Sequence, residues 1–361
     1  MLRKLFLATA TSFSFFICTA QDSTKSLSVS GSIDGYYRYN FAGKLNNYTS
    51  FTNSQSSFEL GMASLRADAT ALSGKVGATV DLGFGRRAEE FSYNDGNDNV
   101  GTGTDKNGFL SLAAIKQAYI TYAASSKVKF TAGKFATHVG YELLDAPLNR
   151  NYSMSYMFTN GPFFHTGLKA DITAGPVGFM LGITNYTDQT TSTTGVKNFI
   201  AQFSGATKNG KLKFYLNYSG FGGSTKGANP SGLKSLNQVD LVVLGTVSDK
   251  FNIGYNGTVQ SRKPVTGSSG SWVGNALYLN FDPTAKTGIT LRSELISDSK
   301  TIYYGTKSIF ANTISVNCKV GPLTIIPELR FESAQSNFYL KSNGGGTKST
   351  ATALVAAVYK F

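Results

Sequence analysis

Cysteine is nearly missing from this 361-residue chain, with Cys18 and Cys318 the only two. Cys18 falls in an N-terminal leader, so a single thiol remains, and neither an intramolecular disulfide nor a thiolate metal site can form. Paired histidines are lacking as well, since His138 and His165 are the whole complement. Proline is scarce, at 8 residues. Beyond the leader no apolar run approaches the about 18 residues a membrane helix needs. Acidic residues are outnumbered, 21 Asp and Glu against 34 Lys and Arg, for a formal charge of +13. The cations come in ones and twos, without the basic helix or block that a nucleic-acid surface would need. In abundance are 39 Gly, 26 Phe and 19 Tyr. That balance favours strands, tight turns and interface aromatics over helices.

Arg3 and Lys4, the apolar stretch Leu5 to Cys18 and the sequence Thr19-Ala20 form a secretory signal peptide. Bulky Phe16 and Ile17 stand where a lipoprotein signal needs small residues. Cleavage after Ala20 leaves 21–361 as one domain. At the other end, Ala351, Ala353, Val355, Ala357, Tyr359 and Phe361 alternate along a final strand. A closing strand with terminal aromatics suits lipid on one side and a bilayer interface at its end.

Period-two alternation runs through the chain. Leu27, Val29, Ile33, Tyr37, Tyr39 and Phe41 oppose Ser28, Ser30, Ser32, Asp34, Tyr36, Arg38 and Asn40. A strand that long, with two such different faces, suits a tilted crossing of a bilayer. Sixteen segments of this kind can be traced, within a range of fourteen to eighteen. The third is drawn at 75–89 and the fourth at 110–123. A change of parity between Phe58-Leu60-Met62 and Leu65-Ala67-Ala69 predicts a bulge, and Pro327 predicts another.

Connections alternate between short turns, such as Leu72-Ser73-Gly74 and Gly175-Pro176, and long polar stretches. The pattern predicts an all-β, transmembrane, antiparallel up-and-down barrel of about 16 strands, with long extracellular loops and short periplasmic turns. An open sheet edge in lipid would leave backbone groups unpaired, so the barrel closes. At that width side chains cannot fill the interior, and an aqueous channel results.

The segment Thr137-His138-Val139-Gly140-Tyr141-Glu142-Leu143-Leu144-Asp145, continuing through Ala146-Pro147-Leu148-Asn149-Arg150 to Pro162-Phe163-Phe164-His165-Thr166-Gly167, resembles the putative β-barrel porin family of Gram-negative outer membranes. Gln55 to Met62 and Gly83 to Asn94 are similar to that family too. The resemblance spans the chain from residue 21 and is most specific over Gly140 to Gly167. It implies a porin-like barrel and passive transport without naming a solute. The Pro-Glu-Phe-Gly motif of the classical trimeric porins is absent from the third long loop, so their constriction residues are not carried over.

That loop, 140–162, is richer in aromatic and apolar residues than an exposed loop should be. It is expected to fold inward, with Glu142, Asp145 and Arg150 offering charge to a permeating solute; a cap over the mouth or a subunit contact is the alternative. Arg38, Arg66, Arg87, Arg292 and Arg330, with Asp34, Asp68 and Asp81, are expected to line the pore. They form either an arginine wall with a mild anion preference or ordinary ion pairs, such as Arg66 with Asp68 and Arg330 with Glu328. An enzyme would have to use His165 or His138, the latter near Glu142 in sequence, with Ser153 or Ser155 as nucleophile, and no motif fixes that arrangement. The acidic loop bearing Glu90, Asp95, Asp98 and Asp105 fits no EF-hand spacing. The reading is therefore a non-enzymatic outer-membrane porin for small hydrophilic solutes, without metal or cofactor. A substrate-selective channel and a surface-interaction barrel are the alternatives. Its expected partners are outer-membrane lipid, lipopolysaccharide and the assembly machinery that meets the strand ending at Phe361. A homotrimer is left open, and no nucleic acid is expected.

Overall fold

The computed structural model describes residues 25–93, 95, 110–192, 195–222 and 232–361. The leader expected over 1–20 lies outside them, as do Asp98 and Asp105 of the acidic loop. Alternating side chains build the wall strand by strand. Its first half comprises β1 (Ser26–Asn40), β2 (Ser57–Ala71), β3 (Val76–Phe84), β4 (Ile115–Ala123), β5 (Val128–Ala136), β6 (Phe164–Ala174), β7 (Val177–Asn185) and β8 (Lys197–Ala206). The second comprises β9 (Leu212–Phe221), β10 (Leu233–Ser248), β11 (Phe251–Pro264), β12 (Gly270–Thr284), β13 (Thr287–Ser297), β14 (Ser308–Val320), β15 (Leu323–Ala334) and β18 (Ser349–Lys360). Between β15 and β18, β16 (Tyr339–Leu340) and β17 (Gly346–Thr347) pair as a separate hairpin.

β18 pairs antiparallel with both β15 and β1, closing sixteen strands into a barrel. At the seam Tyr37 stands opposite Val355, and the Phe361 backbone exchanges two 3.0 Å hydrogen bonds with Gly31. Closure leaves no edge for lipid to desolvate. The two faces separate as the alternation requires. Leu27, Val29, Ile33, Tyr39 and Phe41 project outward, whereas Ser32, Asp34, Tyr36, Arg38 and Asn40 are buried inside. Tyr359 and Phe361 finish on the outer surface.

The β2 bulge falls at Gly61, since Asp34 pairs with Met62 and Gly35 with Leu60. Phe58 and Leu60 face out as expected, but Met62, past the bulge, is fully buried. A Cβ at Gly61 would overlap both the Asp34 carboxylate and the Tyr152 hydroxyl. The bulge expected at Pro327 does not occur. Pairing with β14 skips a step around Pro327 but keeps one register on both sides, and Pro327 stays opposite Val355 of β18. The missing N–H opens the ladder locally without shifting it.

The segment drawn at 75–89 stops at Phe84. Gly85 adopts φ 115°, where only glycine is comfortable, and the chain turns into helix α1 (Arg86–Phe91). Arg87 therefore sits on a helix rather than on the wall. Likewise 110–123 opens with helix α2 (Leu110–Ala113), and the strand begins at Ile115.

Candidate functional site

Residues 137–163 leave β5 and return to β6, and between those points the chain crosses the barrel interior. Its apolar content explains the course, because Val139, Leu144, Tyr152, Met154, Tyr156, Met157, Phe158 and Phe163 are all buried. The stem is fixed first. The Gly140 N–H donates to Asp240 at 3.0 Å and the Tyr141 N–H to Asn256 at 3.2 Å, while the Tyr141 ring stacks on Tyr278 at 3.9 Å.

The loop then docks on the wall made by β13, β14, β15, β18 and β1. Carboxylates of that wall accept its backbone N–H groups, Glu328 from Tyr152 at 2.8 Å and Glu294 from Tyr156 at 2.9 Å. Wall guanidiniums donate to its carbonyls, Arg292 to Ser153 at 2.7 Å and Arg330 to Met154 at 2.9 Å. Two tyrosine hydroxyls complete the seal, Tyr152 donating to Asp34 at 2.6 Å and Tyr156 to Glu332 at 2.8 Å. The short helix α3 (Tyr156–Thr159) is capped by Ser155, whose hydroxyl accepts from Phe158. Buried charges are tolerable only when paired and hydrogen-bonded. Here loop and wall supply most of each other's partners.

This geometry reassigns most of the expected pore-lining residues. Arg292 and Arg330 are 0% and 6% exposed, covered by the loop. Arg330 pairs with Glu294 and Glu332, both at 3.0 Å, and not with Glu328. Arg87 is fully buried between the Phe51 and Tyr152 rings and donates to the Leu144 carbonyl at 3.0 Å. Arg38 is held by the carbonyls of Leu45 and Ser54, each at 2.8 Å, so it braces the first long loop. Asp34 is spent on Tyr152, and Asp81 on Lys116 at 2.9 Å. Only Arg66 and Asp68 keep substantial exposure, as the expected ion pair at 2.7 Å. Of the three loop charges, Glu142 is buried against Arg292 and accepts the Ser155 N–H, so it anchors rather than meets solute. Asp145, paired with Lys116, and Arg150, paired with Asp282 at 2.6 Å, remain partly exposed on the turn side.

The unfilled space divides around the loop. On the long-loop side a cavity of about 640 Å³ lies against β8 to β11, lined by Asn198, Gln238 and Gln260 of the wall and by Tyr93, Asp188 and Gln189 of loops. Beneath it, sharing Gly161, Pro162 and Gln238, is a space of about 10 Å³ bounded by Glu142, Met157, Asp240 and Asn256. On the turn side, cavities of about 280 and 330 Å³ are bordered by Arg150 and Lys319 and by Asp145 and Arg66. Asp188 ties the rim together, accepting from the Phe163 and Phe164 N–H groups at 2.6 and 3.0 Å and from the Tyr93 hydroxyl at 3.2 Å. Burial pushes its carboxyl up to about 7.

A closed sixteen-strand wall crossed by its third loop is the geometry of a porin, and the sequence agrees. The family described as "Putative beta-barrel porin-2, OmpL-like" matches residues 26–361. The chain belongs to this OmpL-like porin family. No curated protein matches the sequence. Among solved structures the barrel is similar to the outer membrane channel DcaP of Acinetobacter baumannii, with 15% identity and a TM-score of 0.63 over 93% of this chain and 97% of that one. It is also similar to an anion-selective porin from Comamonas acidovorans, with 12% identity and a TM-score of 0.63 over 94% and 100%. OmpT of Vibrio cholerae in its trimer form gives 12% identity and a TM-score of 0.59 over 93% and 99%. At such identities the likeness is one of fold.

In this OmpL-like porin two interior lysines escaped the sequence reading. Lys116 is turned inward by a register shift against β3, where Asp81 pairs with Gln117 and Leu82 with Ile115. Lys134 pairs with Asp95 at 2.7 Å and lies 3.9 Å from the Phe164 ring centre. The parity break at Lys116 could not be found by alternation alone. The two histidines do approach, with ring centres 5.6 Å apart, but His138 contacts the Tyr218 carbonyl at 3.0 Å and neither meets Ser153 or Ser155.

Proposed function

We propose that the protein is a narrow diffusion channel for small hydrophilic solutes and ions across the outer membrane, its bore set by the third loop. The observation that carries this is the loop's course. It seals one wall of the barrel through Arg292, Arg330, Glu294 and Glu328 and leaves polar-lined space beside the other. Asp145 and Arg150 are the loop charges a solute would meet on the turn side, with the Arg66–Asp68 pair nearby. The chain would reach the membrane after loss of residues 1–20, engage lipopolysaccharide and the assembly machinery there, and assemble as a homotrimer. Planar-bilayer recordings test the channel: the purified protein should give small, discrete conductance steps, and deletion of 143–156 should enlarge them severalfold. Unchanged steps after the deletion would count against the loop as the constriction.

A further inference from the structure

The long-loop cavity differs in chemistry from the rest of the interior. Among the described residues its lining holds no Lys or Arg. Its polar surface is instead largely amide, with Gln189, Asn198, Gln238 and Gln260 contributed by β8, β10, β11 and the fourth long loop. Its two carboxylates are already engaged, Glu90 by the Phe51 N–H at 2.7 Å and Asp188 by three donors. An anion finds no counter-charge there, and the two carboxylates already spend lone pairs on neutral donors, which leaves fewer of them to coordinate a cation. An apolar solute would strip water from amides without replacing their hydrogen bonds.

Two acceptor-bearing groups in this wall remain unsatisfied. The Gln189 side-chain oxygen and the Thr187 hydroxyl are buried and have no hydrogen-bond partner among the described residues. Gln189 itself is 4% exposed and lines the cavity. Such an oxygen gains from any donor that reaches it, so the site favours a solute that brings one. The Tyr93 ring, half exposed on the same rim and edge-on to Phe163 at 6.1 Å, offers an apolar face beside these amides. Hydroxyl groups that both donate and accept, mounted on a ring with an apolar C–H face, match this lining. The volume falls within the range of about 300–1,000 Å³ typical of small-molecule sites.

We infer that the long-loop vestibule is a binding site for neutral saccharides, which enter the channel through it. The inference rests on the channel reading above and names its solute class. The test is sugar-induced block of single-channel current in planar bilayers, with glucose, maltose, maltotriose and sucrose added to the long-loop side, and succinate and putrescine as charged controls. At least one sugar should block saturably while both charged solutes leave the sugar's half-blocking concentration unmoved. Gln189→Leu should raise that concentration about fivefold, the loss of one hydrogen bond; Tyr93→Ala should raise it as well. Normal conductance with no saturable block by any of the sugars, or competition by succinate or putrescine, overturns the saccharide site and leaves the channel standing. If no conductance is seen, the channel reading has failed. The site is then judged by titrating the same sugars into detergent-solubilised protein, where binding weakened by Gln189→Leu supports it and absence of binding ends it.

Discussion

The two sides of the barrel interior use polar residues for different ends. On the β13–β15, β18 and β1 side, arginines and carboxylates are packed under the third loop and hydrogen-bonded to its backbone. On the β8–β11 side the wall is mostly amide and hydroxyl, and its one deep acid, Asp240, is held by Gly140, Asn217, Asn256 and Thr258 rather than by a cation. Charge density inside a barrel is thus a poor guide to what a solute meets. The most charged strip is a docking surface for the chain's own loop, and the open strip carries few charges.

Breaking the charged side should have the largest effect. Arg292→Ala leaves Glu142 buried without its cation, while Glu294 keeps Arg330, at a cost of about 3–5 kcal/mol. A marked fall in the unfolding midpoint in detergent, together with larger and noisier conductance steps, is expected. Gly61→Ala should be next, because the new Cβ displaces the Asp34–Tyr152 hydrogen bond and strands a buried hydroxyl, at about 1–3 kcal/mol. Denaturant midpoints of Gly61→Ala and Tyr152→Phe, alone and combined, should then be non-additive.

The rim of the open side can be probed by pH. The Asp188 carboxyl is raised from 3.8 to about 7 by burial, so its ionised form is disfavoured in the fold. Its contribution is fully present below the unfolded value and is lost as pH rises from about 3.8 to about 7. Asp188→Asn should therefore shrink the difference in unfolding midpoint between pH 5 and pH 8. Arg66→Ala should do least. Arg66 and Asp68 are about one-third exposed, and such a pair is worth about 1 kcal/mol or less. A small change in reversal potential across a salt gradient is the expected readout.

The barrel was legible because alternation is a local signal. Leu27 to Phe41 declare their two faces without knowledge of any neighbour, and the alternation of short and long connections supplied the topology. What could not be read was where the bore's polar residues find partners. Arg292 and Glu142 are 150 positions apart, and nothing in their local sequence says that one covers the other. The loop's inward course was visible in its aromatics, such as Tyr152 and Tyr156, yet their consequence was not: burying a loop against a wall removes that wall from the pore. Arg87 was missed for a local reason, since a single positive-φ glycine at 85 ended the strand early.

The docked loop is tested most directly by disulfide trapping between Asn151 and Ser315, whose side chains meet at 2.7 Å. In a Cys318→Ser background, Asn151→Cys with Ser315→Cys should crosslink under mild oxidation, and the single-channel conductance should be the same before and after. Failure to crosslink in folded protein, or a fall in conductance once the bond forms, would contradict a loop that rests on the β14 wall.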